Sequence, residues 1–73
     1  MSLNDVRTEI VGIPGVQNAH DLHVWSITSG NISCSVHIVV NDVEQAEAIR
    51  TQVAQMLSKS FQIEHATIQI ERK

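Results

Sequence analysis

The segment from Asn31 to Val40 alternates polar and apolar residues with a period of two, which is typical of a β-strand that has one covered and one open face. Its odd positions are polar except Val39, and they include His37. Its even positions are all apolar: Ile32, Cys34, Val36, Ile38 and Val40. We therefore expect Cys34 and its neighbours to face a core, and His37 to face away from it.

Such a core must be small, because the chain has 73 residues. Hydrophobic residues make up 42% and charged residues 18%, which is the composition of a globular domain. A chain of ~60 residues buries only about 60% of its unfolded surface, so domains of this size gain from disulfides, metals or self-association. The single cysteine excludes an internal disulfide. We expect one domain over residues 1–73, stabilised by a metal or a second copy.

Several classes of protein are disfavoured. Five Lys and Arg against eight Asp and Glu give no basic surface for nucleic acid. No apolar run approaches the ~20 residues that span a bilayer, and the start, Met1-Ser2-Leu3, does not resemble a signal peptide. Gly-rich phosphate loops and the GxSxG, CxxC and HExxH motifs are absent, so we do not expect an enzyme.

The spacing of apolar residues predicts the element order αββαβ. The first helix starts near Leu3, is capped by Ser2 or Asn4, and ends at the glycines and proline of residues 12–15. Strands over about 21–28 and 32–40 flank a turn at residues 29–31, and a second helix over about 42–60 has Asn41 as its N-cap. The last strand covers about 66–71. We expect it to lie parallel to the second strand through a right-handed crossover, and a wholly antiparallel sheet is the alternative.

The hairpin has two candidate registers. A two-residue turn would place Asp21 and His23 on the core side, where an unpaired carboxylate is costly. A three-residue turn instead places Leu22 and Val24 inward and sets His23 opposite His37, and we favour this register. The open face then carries polar and apolar side chains together: His23, Trp25, Ile27, His37, Val39, His65, Gln69 and Glu71. Such a mixed face is typical of a partner surface, and a homodimer is the simplest interpretation.

Four segments of the chain resemble one known family. They are HDLHVWSITSG at residues 20–30, IPGV at 13–16, SVHI at 35–38 and FQIEHATIQIE at 61–71. In this order they resemble the cytoplasmic C-terminal domain of cation diffusion facilitator proteins, the zinc, cadmium and cobalt efflux transporters. The resemblance covers nearly the whole chain.

The resemblance implies an α+β fold similar to copper metallochaperones: an αββαβ open sandwich with a three-stranded mixed sheet and two helices on one face. It implies a soluble regulatory domain on the cytoplasmic side of the cell membrane, carried by a six-helix membrane domain of the same transporter and paired in a V-shaped homodimer. Zinc binding at or near the dimer interface would move the two arms together and regulate transport. Because this sequence lacks such a membrane domain, we expect the chain to be either a fragment or a free-standing relative, and alone it would not transport ions.

The resemblance also implies metal ligands. His20, His37 and Glu71 match ligand positions of the family, and His65 lies near another. Some members have a ligand histidine where this chain has Gln69, which weighs against a full binuclear site. The expected ion is Zn²⁺, with Cd²⁺ and Co²⁺ as alternatives, because all three accept such donors.

Other interpretations stay open at this point. Asp21 is a candidate for orienting a ligating imidazole, although capping or solvation is the simpler role. The domain could also be a constitutive homodimerisation module whose histidines bind no metal. A small-molecule sensor is disfavoured, since the chain lacks a Gly-rich ligand loop.

Overall fold

The computed structural model describes residues 2–28 and 30–73, and it has the predicted order αββαβ. The elements are α1 (Leu3–Val11), β1 (Val16–Thr28), β2 (Asn31–Val40), α2 (Ala46–Phe61) and β3 (Ile63–Arg72). The sheet order is β1-β2-β3, with β1 antiparallel and β3 parallel to β2. The predicted α+β class, the mixed sheet and the parallel last strand are therefore confirmed.

Both helices pack on the same face of the sheet and share one core. Their buried residues are Val6 and Ile10 of α1 and Ile49, Val53 and Leu57 of α2. They join the inward side chains of β2 in one cluster, as the alternation of residues 31–40 predicts: Cys34, Val36, Ile38 and Val40. Burial raises the pKa of the Cys34 thiol, so this side chain acts as a small apolar group. The opposite face of the sheet is left open.

Local hydrogen bonds from side chains determine where the helical segments begin. The Ser2 hydroxyl caps α1 by accepting from the backbone N–H of Asp5 at 3.4 Å, as one of the two predicted caps. The prediction of Asn41 as the cap of the second helix is wrong. Asp42 accepts from the N–H of Glu44 at 3.0 Å and begins a short 3₁₀ turn, Val43–Gln45, that leads into α2.

β1 is longer than predicted, and this brings His20 into the sheet. The sequence predicts a start near Asp21, whereas the strand begins at Val16, which pairs with Val40. Gly15 has φ +95°, a left-handed conformation that lets the chain turn from α1 directly into the strand. β3 also begins earlier than expected, at Ile63.

The hairpin register differs from the prediction, although the facing of its side chains agrees. Thr28 pairs with Asn31, so the predicted three-residue turn is wrong; Ser29 itself lies outside the described residues. A register shift between Ser26 and Thr28 restores the expected facing, with Leu22 and Val24 half-buried against the core.

No helix in the described ranges is both long and apolar enough to cross a membrane.

Candidate metal centre

His20 of β1 and His37 of β2 form a cross-strand pair on the open face of the sheet. Their chain neighbours Ala19 and Ile38 are buried, so both imidazoles point away from the core. The ring centroids lie 5.1 Å apart and the ring planes are tilted by 47°. The expectation that His23 lies opposite His37 is therefore wrong. His23 pairs with Ser35, because Thr28 pairs with Asn31 and the register shifts between Ser26 and Thr28. The second shift, between His20 and His23, then places His20 opposite His37.

Glu71 brings the third strand to this pair. Its Oε1 atom lies 2.7 Å from Nε2 of His20, and its Oε2 atom lies 2.7 Å from Nδ1 of His37. The carboxylate thus accepts a hydrogen bond from each imidazole, and it lies 51 and 34 positions along the chain from its two partners. The three side chains are each between one third and two fifths exposed, which leaves them open to an ion from solvent.

Asp21 adds a second carboxylate on the far side of the His20 ring. Its Oδ2 atom lies 3.3 Å from Nδ1 of His20. Asp21 has φ +52° and occupies the register shift, where it is the extra residue of a β-bulge. In a regular strand the residue after His20 would face the core, and the bulge keeps this carboxylate in solvent.

Arg7 of α1 donates hydrogen bonds to β1 just before the bulge. Its Nε donates to the carbonyl oxygen of Ala19 at 3.0 Å, and its Nη2 donates to Oδ1 of Asn18 at 3.2 Å. Arg7 therefore ties α1 to the backbone next to His20. Sequence reasoning missed this contact; the available signal was a polar residue of α1 directly beside the core position Val6.

The cluster stabilises the protonated form of His20 and the ionised form of Glu71. The hydrogen bond with Glu71 raises the pKa of His20 above its ordinary value, and the charges of Glu71 and Asp21 act in the same direction. The hydrogen bond from His37, followed by that from His20, lowers the pKa of Glu71. Without a metal, the cluster is a carboxylate held between imidazole N–H donors.

The same atoms are suitable donors for a divalent ion. Imidazole nitrogen and carboxylate oxygen bind Zn²⁺ at about 2.0–2.2 Å, usually in a tetrahedron whose ligand atoms lie about 3.3 Å apart. The carboxylate of Glu71 bridges the two imidazoles through different oxygens, so it would have to move aside for both nitrogens and one oxygen to bind the same ion. One ligand atom from each of His20, Asp21 and His37 lies within 4.8 Å of the other two.

The structure does not bring His65 to this cluster. His65 is exposed and pairs with Ser33, near the start of β3, whereas Glu71 lies near its end. At about 3.3 Å per residue, the two positions are about 20 Å apart along the strand. Of the four predicted ligands, His20, His37 and Glu71 converge and His65 does not. Gln69, which pairs with His37, is exposed on the same face.

Comparison with known proteins identifies the class to which this chain belongs. The family model described as the cytoplasmic domain of cation efflux proteins matches residues 1–73. The chain belongs to this family and is a cytoplasmic domain of the cation diffusion facilitator type, as the resemblance predicted.

Individual relatives agree with this assignment. The cation efflux system protein CzcD of Cupriavidus metallidurans is 44% identical over 97% of this chain. The cadmium, cobalt and zinc/H⁺-K⁺ antiporter of Bacillus subtilis is 40% identical over 97%. This chain spans 23% and 24% of their lengths, about a quarter of each. The solved metal-bound C-terminal domain of the CzcD transporter from C. metallidurans superimposes with a TM-score of 0.87 at 39% identity, covering 97% of this chain and 99% of that one.

Proposed function

We propose that this domain is the metal-sensing and dimerisation unit of a divalent cation efflux transporter. In this proposal His20, His37 and Glu71 bind Zn²⁺ on the open face of the sheet, at or near a homodimer interface. The observation that carries the proposal is the single carboxylate of Glu71, 2.7 Å from an imidazole nitrogen of each of two histidines on two other strands. The similar C-terminal domain of CzcD was solved with metal bound, which supports metal binding by this chain.

Metal binding replaces protons in this cluster. Each 2.7 Å contact between Glu71 and an imidazole needs a proton between nitrogen and oxygen. A zinc ion would take the place of these protons and bind the nitrogen lone pairs. Zinc binding therefore releases protons. Three ligands from one protomer leave a fourth position for water or for a donor from the second copy.

The open face also offers a surface for the second copy. Trp25 is 44% exposed and Ile27 is 82% exposed, and both lie on the β1–β2 hairpin. Aromatic and apolar side chains exposed beside polar ones are typical of interface centres. A second copy packed against this face would lie beside the metal cluster, because His23 and Trp25 continue the side of β1 that carries His20.

The regulatory step follows from this proximity. A ligand shifts an equilibrium between two dimer arrangements only by its difference in affinity for them. A zinc ion whose coordination is completed at the interface has such a difference. Metal occupancy in the cytoplasm would thereby set the arrangement of the two domains, and through them the activity of the membrane domain.

The proposal is tested by titrating the purified chain with ZnCl₂ at pH 7.5 in a calorimeter and by recording small-angle scattering with and without the ion. We expect His20→Ala and His37→Ala to reduce zinc affinity by more than about 100-fold, since even outer-shell partners of a metal contribute 10–100-fold. His65→Ala is the matched control, because it removes an imidazole from the same sheet outside the cluster. Absence of zinc binding, or equal losses for all three variants, would contradict the proposal.

A constitutive homodimerisation module is the second candidate, and one observation favours it. The carboxylate of Glu71 already has an imidazole partner for each of its oxygens, so protons alone can hold the cluster together. This alternative predicts a dimer whose scattering profile is the same with and without zinc. It also predicts that His37→Ala leaves dimerisation unchanged.

A further inference from the structure

We infer that Asp21 is a positioning residue of this centre: its carboxylate holds the proton of His20 on Nδ1 and so directs the Nε2 lone pair to the metal. The inference rests on the proposed zinc site.

The cluster geometry fixes that nitrogen. Glu71 places Oε1 at 2.7 Å from Nε2 of His20 and its other oxygen at 2.7 Å from Nδ1 of His37. An ion shared by these three residues must therefore approach His20 through Nε2. The second nitrogen, Nδ1, points to the other side of the ring, where the Oδ2 atom of Asp21 lies at 3.3 Å.

A neutral imidazole has one proton, and the metal needs the nitrogen that lacks it. In the metal-free cluster the 2.7 Å contact with Glu71 requires a proton on Nε2 of His20, and the ion displaces that proton. The carboxylate of Asp21 next to Nδ1 then favours the tautomer with the remaining proton on Nδ1, which is the tautomer that binds a metal through Nε2. The same contact restrains rotation of the ring, so His20 is oriented before the ion arrives. Partners of this kind typically contribute 10–100-fold to metal affinity.

The backbone conformation at Asp21 places its carboxylate beside His20. Asp21 has φ +52°, a left-handed conformation that few residues other than Gly, Asn and Asp adopt readily. It is inserted at the register shift between His20 and His23, so Leu22 still faces the core. Two consecutive residues, His20 and Asp21, can therefore meet side chain to side chain, although neighbours in a regular strand point to opposite faces.

Direct coordination by Asp21 is the competing role. The ligand atoms of His20, Asp21 and His37 lie within 4.8 Å of one another, which permits it as a starting geometry. An ion bound between Asp21 and Nδ1 of His20 would, however, lie across the ring from Glu71, the residue that contacts both imidazoles at 2.7 Å. The shorter contacts favour the Nε2 side.

The test compares Asp21→Gly and Asp21→Asn with the unmodified chain. Glycine adopts the positive φ without strain and removes only the side chain, while asparagine keeps the conformation and supplies a carbonyl acceptor. Titration with ZnCl₂ should show affinity reduced about 10–100-fold in Asp21→Gly and restored to within about threefold in Asp21→Asn. Glu64→Gln is the charge control, because it removes one exposed carboxylate near the start of β3. Nitrogen-15 spectra of the zinc-loaded chain should show His20 protonated at Nδ1.

Each outcome separates the two proposals. Affinity unchanged in Asp21→Gly, or zinc bound at Nδ1, overturns the positioning role while the metal site stands. Asp21→Asn losing as much affinity as His20→Ala makes Asp21 a direct ligand and also overturns it. An unmodified chain that binds no zinc overturns the proposed function, and the positioning role with it.

Discussion

Glu71 contacts His37 at 2.7 Å although it is not the residue opposite His37 in the sheet. That position belongs to Gln69, and Glu71 pairs with Val39, one row further along the same face. The Glu71 side chain extends back toward His37 and also contacts His20. The cluster therefore runs diagonally across the paired strands, and the carboxylate of Glu71 is the group that joins the two histidines.

This dependence makes Glu71→Gln the most informative substitution. The amide keeps the size of the side chain but cannot accept two charge-assisted hydrogen bonds, and it is a poor ligand for Zn²⁺. We expect zinc affinity to fall at least about 100-fold, beyond the range for outer-shell partners. Calorimetry with ZnCl₂ measures it, and a loss equal to that of Glu64→Gln would show that Glu71 is not a ligand.

The stability of the metal-free protein should depend on pH through the same carboxylate. The lowered pKa of Glu71 stabilises the fold above its ordinary value of 4.5, and this contribution is lost as the pH falls through the lowered value. The raised pKa of His20 stabilises the fold below 6.5, and this contribution is lost as the pH rises through the raised value. Both contributions are complete only between about 4.5 and 6.5.

Urea unfolding of the metal-free chain from pH 3 to pH 9 measures this profile. The difference in free energy of unfolding between the unmodified chain and Glu71→Gln should be largest inside that window and shrink on both sides. A difference that does not vary with pH would mean that Glu71 acts by packing alone.

Zinc affinity should depend on pH in a different way. The ion competes with the proton on His20, whose pKa the hydrogen bond with Glu71 raises, so affinity should fall as the pH drops below that raised value. One displaced proton gives a slope of roughly tenfold per pH unit. Competition with a zinc-binding dye from pH 6 to pH 8.5 measures it, and a flat profile would exclude displacement of protons from imidazole.

Much of this architecture could be predicted from the sequence, because it follows from periodicity. The alternation in residues 31–40 identified the inner and outer faces of β2, and the helical spacing in residues 3–10 and 46–61 identified both helices. The strand–helix–strand order through α2 favoured a parallel β3. These signals are repeated over many residues, so a single irregular position does not remove them.

The partner of His37 could not be predicted in the same way, because it depends on single irregular residues. A bulge at Asp21 and a shift near Ser26 displace the pairing of β1, and each is a local backbone event. One signal was present in the sequence: the apolar residues Ala19 and Leu22 are three apart, and an unbroken strand cannot place both on one face. The predicted three-residue turn, followed by an unbroken strand, paired His37 with His23 instead.

Gly15 should be intolerant of any side chain. A Cβ atom at this position would lie 2.8 Å from Cδ1 of Ile49, and the residue has φ +95°. Backbone strain and overpacking together should destabilise Gly15→Ala by about 2–4 kcal/mol in urea unfolding. Gly30→Ala is the matched control, because Gly30 has φ +88° in open space and its cost should be the strain alone, about 1–2 kcal/mol. Equal losses would mean that the contact with Ile49 relaxes freely.

Zinc binding and self-association should be reciprocally linked. If the dimer binds zinc more tightly than the monomer by some factor, zinc must strengthen dimerisation by the same factor. Trp25→Ala removes an exposed aromatic ring from the open face without touching His20, His37 or Glu71, so it should weaken the dimer and lower the apparent zinc affinity together. Val43→Ala is the control, since Val43 is 51% exposed in the turn before α2, outside the sheet. Sedimentation and zinc titration over a range of protein concentrations measure both quantities. A Trp25→Ala chain that dimerises less but binds zinc with unchanged affinity would separate the two processes and leave a metal site that does not report on assembly.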